Sequence, residues 1–295
     1  MSKYFNTIGL IARQTQSDIR STAVALLDYF DARHCSAILE EETAELLNLP
    51  PRVPIHTRDQ LVKNCDLLLV IGGDGSLLNA ARLAVDHTLP ILGINRGRLG
   101  FLTDIPPSEF EQKLDQIIQG HYYEEQRFFL TAEIRLNNTI LAHDVALNEI
   151  VLMPGHVSRL IEFSIHIDEH FVCSQRADGL ITATPTGSTA YALSGGGPII
   201  HPQLSAIVLV PMFPHTLTAR PIVVSADSRI SIRISDSNQS APRLSCDGQA
   251  RVIVPFHAEI IIAKKTQTLR LIHPTDYNYF ETLRTKLHWS AHNVS

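Results

Sequence analysis

Four short stretches of this chain hold residue types that could do chemistry. The first is Gly72-Gly73-Asp74-Gly75, one carboxylate enclosed by three glycines. Glycine lets a backbone approach a phosphate closely, and a helix beginning there offers free N–H groups to an anion. A carboxylate at that place repels phosphate, so its use is to handle a proton or hold a cation. The second is Asn148-Glu149, an amide beside a carboxylate, set between Leu147 and Ile150. The third, Ser174 to Gly179, places Arg176 near Asp178. The fourth runs from Thr184 to Pro198 and holds hydroxyls, backbone donors and one ring, Tyr191. Such a run could hydrogen-bond a polar ligand and stack a base; a Ser/Thr/Gly-rich loop with a helix cap has the same composition.

Several chemistries are absent. No G-x-x-x-x-G-K-[ST] occurs, so there is no P-loop, and no G-x-G-x-x-G opens a helix. No G-x-S-x-G elbow supports a serine hydrolase. His166-Ile167-Asp168-Glu169-His170 matches a zinc-protease pattern, which needs a helix to set both histidines one turn apart. Here the preceding alternation places it at the end of a strand, where four residues span about 13 Å and the histidines cannot share a metal, so a strand end or hairpin turn is the expectation.

The elements that must position these groups follow from hydrophobic spacing. Leu67 to Ile71 is an apolar run bounded by glycine, a strand buried on both faces of a parallel sheet. Ser76 to Ala84 has helical spacing, so the glycines form a strand-to-helix turn at the place where open α/β sheets bind ligands. Thr7 to Ala12, Ala37 to Leu39 and Pro90 to Asn95 are further strands. The last also runs into a glycine turn, Arg96 to Gly100, and the two turns are expected to face one crevice. Ile19, Ala23, Leu26, Leu27 and Phe30 form one helical stripe, capped by Ser17 or Asp18. Glu41 to Leu49 reads as a helix stopped by Pro50-Pro51, and Ser108 caps a helix to Gln119.

After that helix the pattern turns to strands. Phe128 to Leu136 and Thr139 to His143 flank Asn137-Asn138, a tight hairpin turn. Ile161, Phe163, Ile165 and Ile167 alternate, and Ile222 to Val224, Ile230 to Ile234, Val252 to Val254, Glu259 to Ala263 and Thr268 to Ile272 continue the series. The expected fold is α/β + β: an N-terminal open parallel α/β domain, then a β-sandwich-like domain, with a C-terminal helix over Tyr277 to Leu287 returning to the first. The boundaries drawn are 1–103 with 274–295, and 104–273.

Bulk properties narrow the class. A chain of 295 residues can bury a sizeable core, and its length suggests two domains. Net charge is −5 without a basic run, which gives nucleic acid no footprint. No apolar stretch approaches 18 residues, and Met1 to Phe5 lacks the apolar region of a signal peptide. Cys35, Cys65, Cys173 and Cys246 form no C-x-x-C pair and read as reduced cytoplasmic thiols.

Together the stretches resemble a family. Gly72 to Gly75, Asn148-Glu149, Thr184 to Tyr191 with Gly195-Gly196-Gly197-Pro198, Val210 to Leu217 and Cys246-Asp247-Gly248-Gln249 are similar to the signature of the NAD kinases, most closely the bacterial ATP-NAD kinases. The glycine–aspartate element alone is shared with lipid kinases and 6-phosphofructokinases; the Asn-Glu pair and the Thr-rich run make the match specific. The resemblance implies transfer of the γ-phosphoryl of ATP to the 2′-hydroxyl of the adenosine ribose of NAD+. By it, Asp74 is the base on that hydroxyl, and Gly72, Gly73 and Gly75 lie beside nucleotide phosphates. Asn148 and Glu149 hold the adenosine part of NAD, and Asp178 contacts the nicotinamide part with Arg176. Thr186, Thr189, Ala190, Tyr191, Ala192, Leu193 and Ser194 line the dinucleotide site, Gln249 lies close, and Arg159 falls at a contact position whose identity varies. It further implies Mg2+ or Mn2+ bound with ATP, NAD+ and ATP as partners rather than nucleic acid or membrane, a homodimer or homotetramer, and a cytoplasmic location. A lipid kinase of the same superfamily and a nucleotide-binding regulator without turnover stay open as alternatives.

Overall fold

The structure, a computed structural model, describes residues 4–13, 17–49, 52–96, 99–155, 160–249 and 251–289. They fall into two compact units, one from residues 1–126 and 269–295, the other from 127–268.

The first unit alternates strands and helices: β1 (Thr7–Ala12), α1 (Ser17–Ala32), β2 (Ser36–Glu40), α2 (Glu41–Leu47), β3 (Ile55–His56), α3 (Arg58–Asn64), β4 (Leu67–Ile71), α4 (Asp74–Ala84), β5 (Ile91–Ile94) and α5 (Phe110–Ile118). The strands pair in parallel in the order β5-β4-β1-β2-β3. Every residue of β4 is buried. Leu67, Leu69 and Ile71 join a core with α1, α2 and α5, while Leu68 and Val70 are equally buried. This is the double-faced burial expected of a central parallel strand.

The second unit is built from β6 (Tyr123–Leu136), β7 (Thr139–Ala146), β8 (Glu149–Met153), β9 (Ile161–Ile167), β10 (His170–Ala177), β11 (Gly179–Ala183), a short helix α6 (Tyr191–Ser194), β12 (Ala206–Met212), β13 (Ile222–Ser225), β14 (Ile230–Ile234), β15 (Arg243–Cys246), β16 (Arg251–Ile253) and β17 (Glu259–His273). One antiparallel sheet runs β13-β12-β11-β8-β15-β16. The other joins β10, β9, β14, β17, β6 and β7. Leu130 and Ile134 of β6, Phe163 of β9 and Ile232 of β14 meet Leu152 of β8, Leu180 of β11 and Leu209 of β12 in one core, so the unit is a sandwich. The chain closes with α7 (Tyr279–Leu287), capped by Asn278, whose side chain accepts from the N–H groups of Phe280 and Glu281. The boundary between the units falls inside β6 and β17.

Several local expectations need correction. Helix α4 begins at Asp74, not Ser76, so Gly73 is its N-cap and the carboxylate sits in its first turn. Helix α1 begins at Ser17, which leaves Ser17 and Asp18 inside it and puts the capping position outside the described residues. Asn48, in the left-handed region, stops α2 before Pro50-Pro51, which lie outside the described residues. Glu109, not Ser108, occupies the N-cap of α5 and makes no side-chain cap. Glu259 to His273 is one continuous strand rather than two. Asn137-Asn138 and Asp168-Glu169 are both two-residue turns with positive φ, so His166 and His170 lie on opposite strands of a hairpin.

Candidate active site

In the first unit the chemistry gathers at the carboxyl ends of β4 and β5. Gly72 closes β4, and its N–H donates to the Ile94 carbonyl at 2.9 Å. Asp74 opens α4, where the positive end of the helix favours a negative charge. Its Oδ2 accepts from the Phe101 N–H at 2.9 Å, and its Oδ1 from the Leu102 N–H at 3.0 Å and the Thr103 hydroxyl at 3.4 Å. The end of the second glycine turn therefore fixes the carboxylate. A Cβ on Gly100 would collide with Asp74 Oδ1, which makes glycine necessary there. A carboxylate has about four lone-pair sites, so one on Oδ2 is left for a substrate hydroxyl or a cation.

Beside Asp74 is a cavity of about 370 Å³ lined by Arg13, Gly73, Gly75, Ser76, Asn79 and Arg96. Gly73 and Gly75 present open space where a side chain would stand. Two guanidinium groups, bare glycine backbone and a helix start make a receptor for phosphate. Arg13 also pairs with Glu42 at 2.6 Å. Sequence reasoning did not single out Arg13, Asn79 or Arg96 as site residues. The available signal was position: Arg13 directly follows β1 and Arg96 lies just beyond β5, both at carboxyl ends of parallel strands.

In the second unit Asp247 organises the site. Its carboxylate accepts from the N–H groups of Leu147 and Asn148, both at 2.8 Å, and of Glu149 at 3.2 Å. The Asn148 carbonyl accepts from the Thr184 N–H at 2.9 Å, and the Thr184 hydroxyl donates to the Leu147 carbonyl at 2.5 Å. A Cβ on Gly187 would strike the Asn148 carbonyl oxygen, so the Thr-rich loop closes directly on the Asn-Glu pair. Glu149 is buried, and its Oε2 has no hydrogen-bond partner. Burial and the nearby Asp247 charge push its pKa up to about 7, against a lowering by the Tyr191 N–H.

The remaining residues lie in the loop and short helix after β11, in the turn after β15, and ahead of β11. The buried Thr186 hydroxyl accepts from Arg127 Nη1 at 3.0 Å, and Thr189 donates to the Thr186 carbonyl at 3.1 Å. Ala190 precedes α6, the Tyr191 ring and Ser194 are exposed, and Leu193 is half-buried. Ala192 turns inward, its side chain in an apolar cluster with Val151, Ile181, Val208 and Val210. Gln249 follows Asp247 in the same turn, its N–H on the Cys246 carbonyl at 3.0 Å. Arg176 and Asp178 are exposed at the opposite end of β11 from Thr184, with Asp178 about 20 Å away along the strand. The two are not joined by an ion pair among the described residues. Arg159 lies outside the described residues.

Residues 8–122 match the ATP-NAD kinase N-terminal domain, and residues 147–274 match the ATP-NAD kinase C-terminal domain. The chain is 54% identical over 285 residues to the NAD kinase of Coxiella burnetii (strain RSA 493 / Nine Mile phase I), covering 97% of this chain and 95% of that one. It is 52% identical over 292 residues to the NAD kinase of Pseudomonas entomophila (strain L48), with 97% of each covered. A crystal structure of yeast NADH kinase complexed with NADH superposes with a TM-score of 0.87 at 25% identity, over 98% of this chain and 88% of that one. An NAD kinase from Archaeoglobus fulgidus in complex with ATP shares the fold, with a TM-score of 0.73 at 24% identity over 95% and 99%. Matched along nearly its whole length, the chain belongs to the NAD kinase family.

Proposed function

We propose that in this NAD kinase Asp74 handles the 2′-hydroxyl of the adenosine ribose of NAD+ while that oxygen accepts the γ-phosphoryl of ATP, giving NADP+ and ADP. The observation that carries the assignment is the carboxylate itself, oriented through both oxygens at the start of α4 beside an arginine-lined cavity. Phosphoryl transfer depends mostly on positioning and charge neutralisation. An aspartate is a weak base, so Asp74 orients the hydroxyl as much as it deprotonates it.

The other roles rest on the same fit of group to chemistry. Gly72, Gly73 and Gly75 sit beside the phosphates, with Arg13 and Arg96 supplying positive charge. Asn148 and Glu149 hold the adenosine part of NAD; the unpartnered Glu149 oxygen suits a ribose hydroxyl. Thr186, Thr189 to Ser194 and Gln249 line the dinucleotide, with Ala192 offering only backbone. Arg176 and Asp178 take the nicotinamide end, and the length of β11 between them and Thr184 suits an extended dinucleotide. Arg159 is carried from the resemblance alone. On this reading the first unit is the nucleotide-phosphate domain and the second the NAD domain.

No group of three or more His, Cys, Asp or Glu side chains is gathered for a metal among the described residues. Mg2+ or Mn2+ would be carried by ATP phosphates and water, with the Asp74 carboxylate lining the same cavity. Such an ion would neutralise phosphate charge. Four free thiols support a reducing, cytoplasmic setting, and no helix among the described residues is long and apolar enough to cross a membrane. Phe213 and Leu217, 80% and 92% exposed, precede the exposed edge strand β13 and support a homodimer or homotetramer, which light scattering would measure.

The deciding experiment is NADP+ formation from NAD+, ATP and Mg2+ by the wild type and by Asp74→Asn. The variant is expected to stay folded, with a lowered thermal midpoint because its amide nitrogen faces one of the two N–H groups, and to lose about 10²-fold or more in kcat. Near wild-type turnover in it would sink the role of Asp74. NAD binding without any turnover by the wild type would favour a regulator.

A further inference from the structure

The first unit contains a cluster of buried ionisable side chains that the proposed chemistry leaves unused. His273, the last residue of β17, is fully buried. Its Nδ1 lies 2.7 Å from Asp104 Oδ2 and its Nε2 3.3 Å from Glu125 Oε2, and each carboxylate side chain is only 6% exposed. The Tyr277 ring stacks on the imidazole with centroids 3.8 Å apart, and the Tyr123 ring lies at 6.1 Å, tilted by 28°. These are the titratable groups facing the imidazole: Asp104 from the segment after β5, Tyr123 and Glu125 from β6, and Tyr277 from the chain before α7. Burial lowers the histidine pKa, the two carboxylates raise it, and the net shift is upward. An apolar trio would fill this space with a smaller desolvation penalty. What the ionic trio adds is direction.

That direction bears on Asp74 through the chain. Asp104 immediately follows Gly100-Phe101-Leu102-Thr103, the segment whose N–H groups hold the Asp74 carboxylate. On one side this segment is tied to β5: the Asn95 N–H donates to the Ile105 carbonyl at 2.9 Å, and the Asn95 side chain reaches the Thr103 carbonyl at 3.4 Å. On the other side its side-chain anchor is Asp104 on His273. We propose that His273 is a positioning residue for Asp74, setting the path of residues 100–103 by holding Asp104 and so aiming the two N–H groups that orient the carboxylate. This rests on the role given to Asp74 above. A displacement of about 1 Å in a catalytic group costs on the order of 10²-fold in rate.

Two substitutions separate positioning from mere support. In His273→Asn the amide places a donor where Nδ1 stands, facing Asp104. In His273→Gln the longer side chain places it where Nε2 stands, facing Glu125. Both remove the ring and its charge, so both lower the thermal midpoint. The expected result is a kcat loss of about 10- to 100-fold in His273→Gln, with KM for NAD+ and ATP unchanged, and near wild-type kcat in His273→Asn. Hydrogen exchange at the Phe101 and Leu102 amides is expected to quicken about tenfold or more in His273→Gln alone. If His273→Gln does not fold, Asp104→Leu removes the acceptor, fills the space and is expected to show the same losses. Equal kcat in the Asn and Gln variants, or unchanged exchange at the two amides in the variant that loses the anchor, overturns the proposal. A wild type that makes no NADP+ overturns instead the reading of Asp74, and the exchange rates still decide whether His273 holds residues 100–103.

Discussion

Glu149 owes its chemistry to where the fold puts it. Its raised folded pKa, about 7, means that the unfolded chain releases the proton first as pH rises. Stability from this group is therefore full below about 4.3, its unfolded value, and is lost as pH climbs to 7. The thermal midpoint of the ligand-free wild type should fall relative to that of Glu149→Gln between pH 5 and pH 7, then run parallel above it. A ribose hydroxyl donated to Oε2 favours the ionised form. NAD+ affinity is accordingly expected to rise with pH up to about 7, with proton release on binding in calorimetry, and both effects should vanish in Glu149→Gln. The Asn148-Glu149 pair was legible in the sequence because adjacent polar groups in an apolar run are conspicuous. The use of Asp247 was not, since it caps backbone donors about a hundred positions away and no local spacing records that contact.

At the scale of elements, two glycines separate folding from binding. A Cβ on Gly75 meets nothing within 4 Å, and the position is helical. Gly75→Ala should hold or gain about 0.5–1 kcal/mol of stability while raising KM for ATP, because the methyl fills the space proposed for phosphate. Gly187→Ala drives its methyl into the Asn148 carbonyl and should cost about 1–3 kcal/mol in urea unfolding, along with NAD+ binding. The strongly periodic elements were readable, from the α1 stripe to the β9 alternation. Helix α3 passed unread although Thr57 and Gln60 form a capping box at its start. Strand β17 read as two because the polar residues Lys264 to Gln267 interrupt its hydrophobic pattern. In the fold these residues stay in the strand at a partly exposed stretch, with the Lys264 ammonium over the Phe128 ring at 5.3 Å.

Over the whole molecule the ionisable groups oppose one another. Arg33 holds Asp115, and Arg270 holds Glu124, below the usual carboxylate range, so their contribution is present above about pH 4 and fades as pH falls. His273 and Glu149 are shifted upward, and their contribution is full below their unfolded values and lost as pH rises to their folded values. From these groups the ligand-free protein is expected to be most heat-stable between about pH 4 and 5, as calorimetry across pH would show, and NAD+ should extend that range toward neutral. The succession of an α/β half and a β half was visible in the change of hydrophobic period after residue 119. That the final residues cluster with the first unit also orders biosynthesis. On a ribosome, residues 127–268 emerge complete while the first unit still lacks 269–295. The strand end pairing Leu271 with Ile91, and His273 beside Asp104, form only after residues 127–268 have been made. A nascent chain stalled before residue 269 would thus carry a finished sandwich while Asp104 still lacks its His273 partner, which defers the full positioning of Asp74 until that stretch is made.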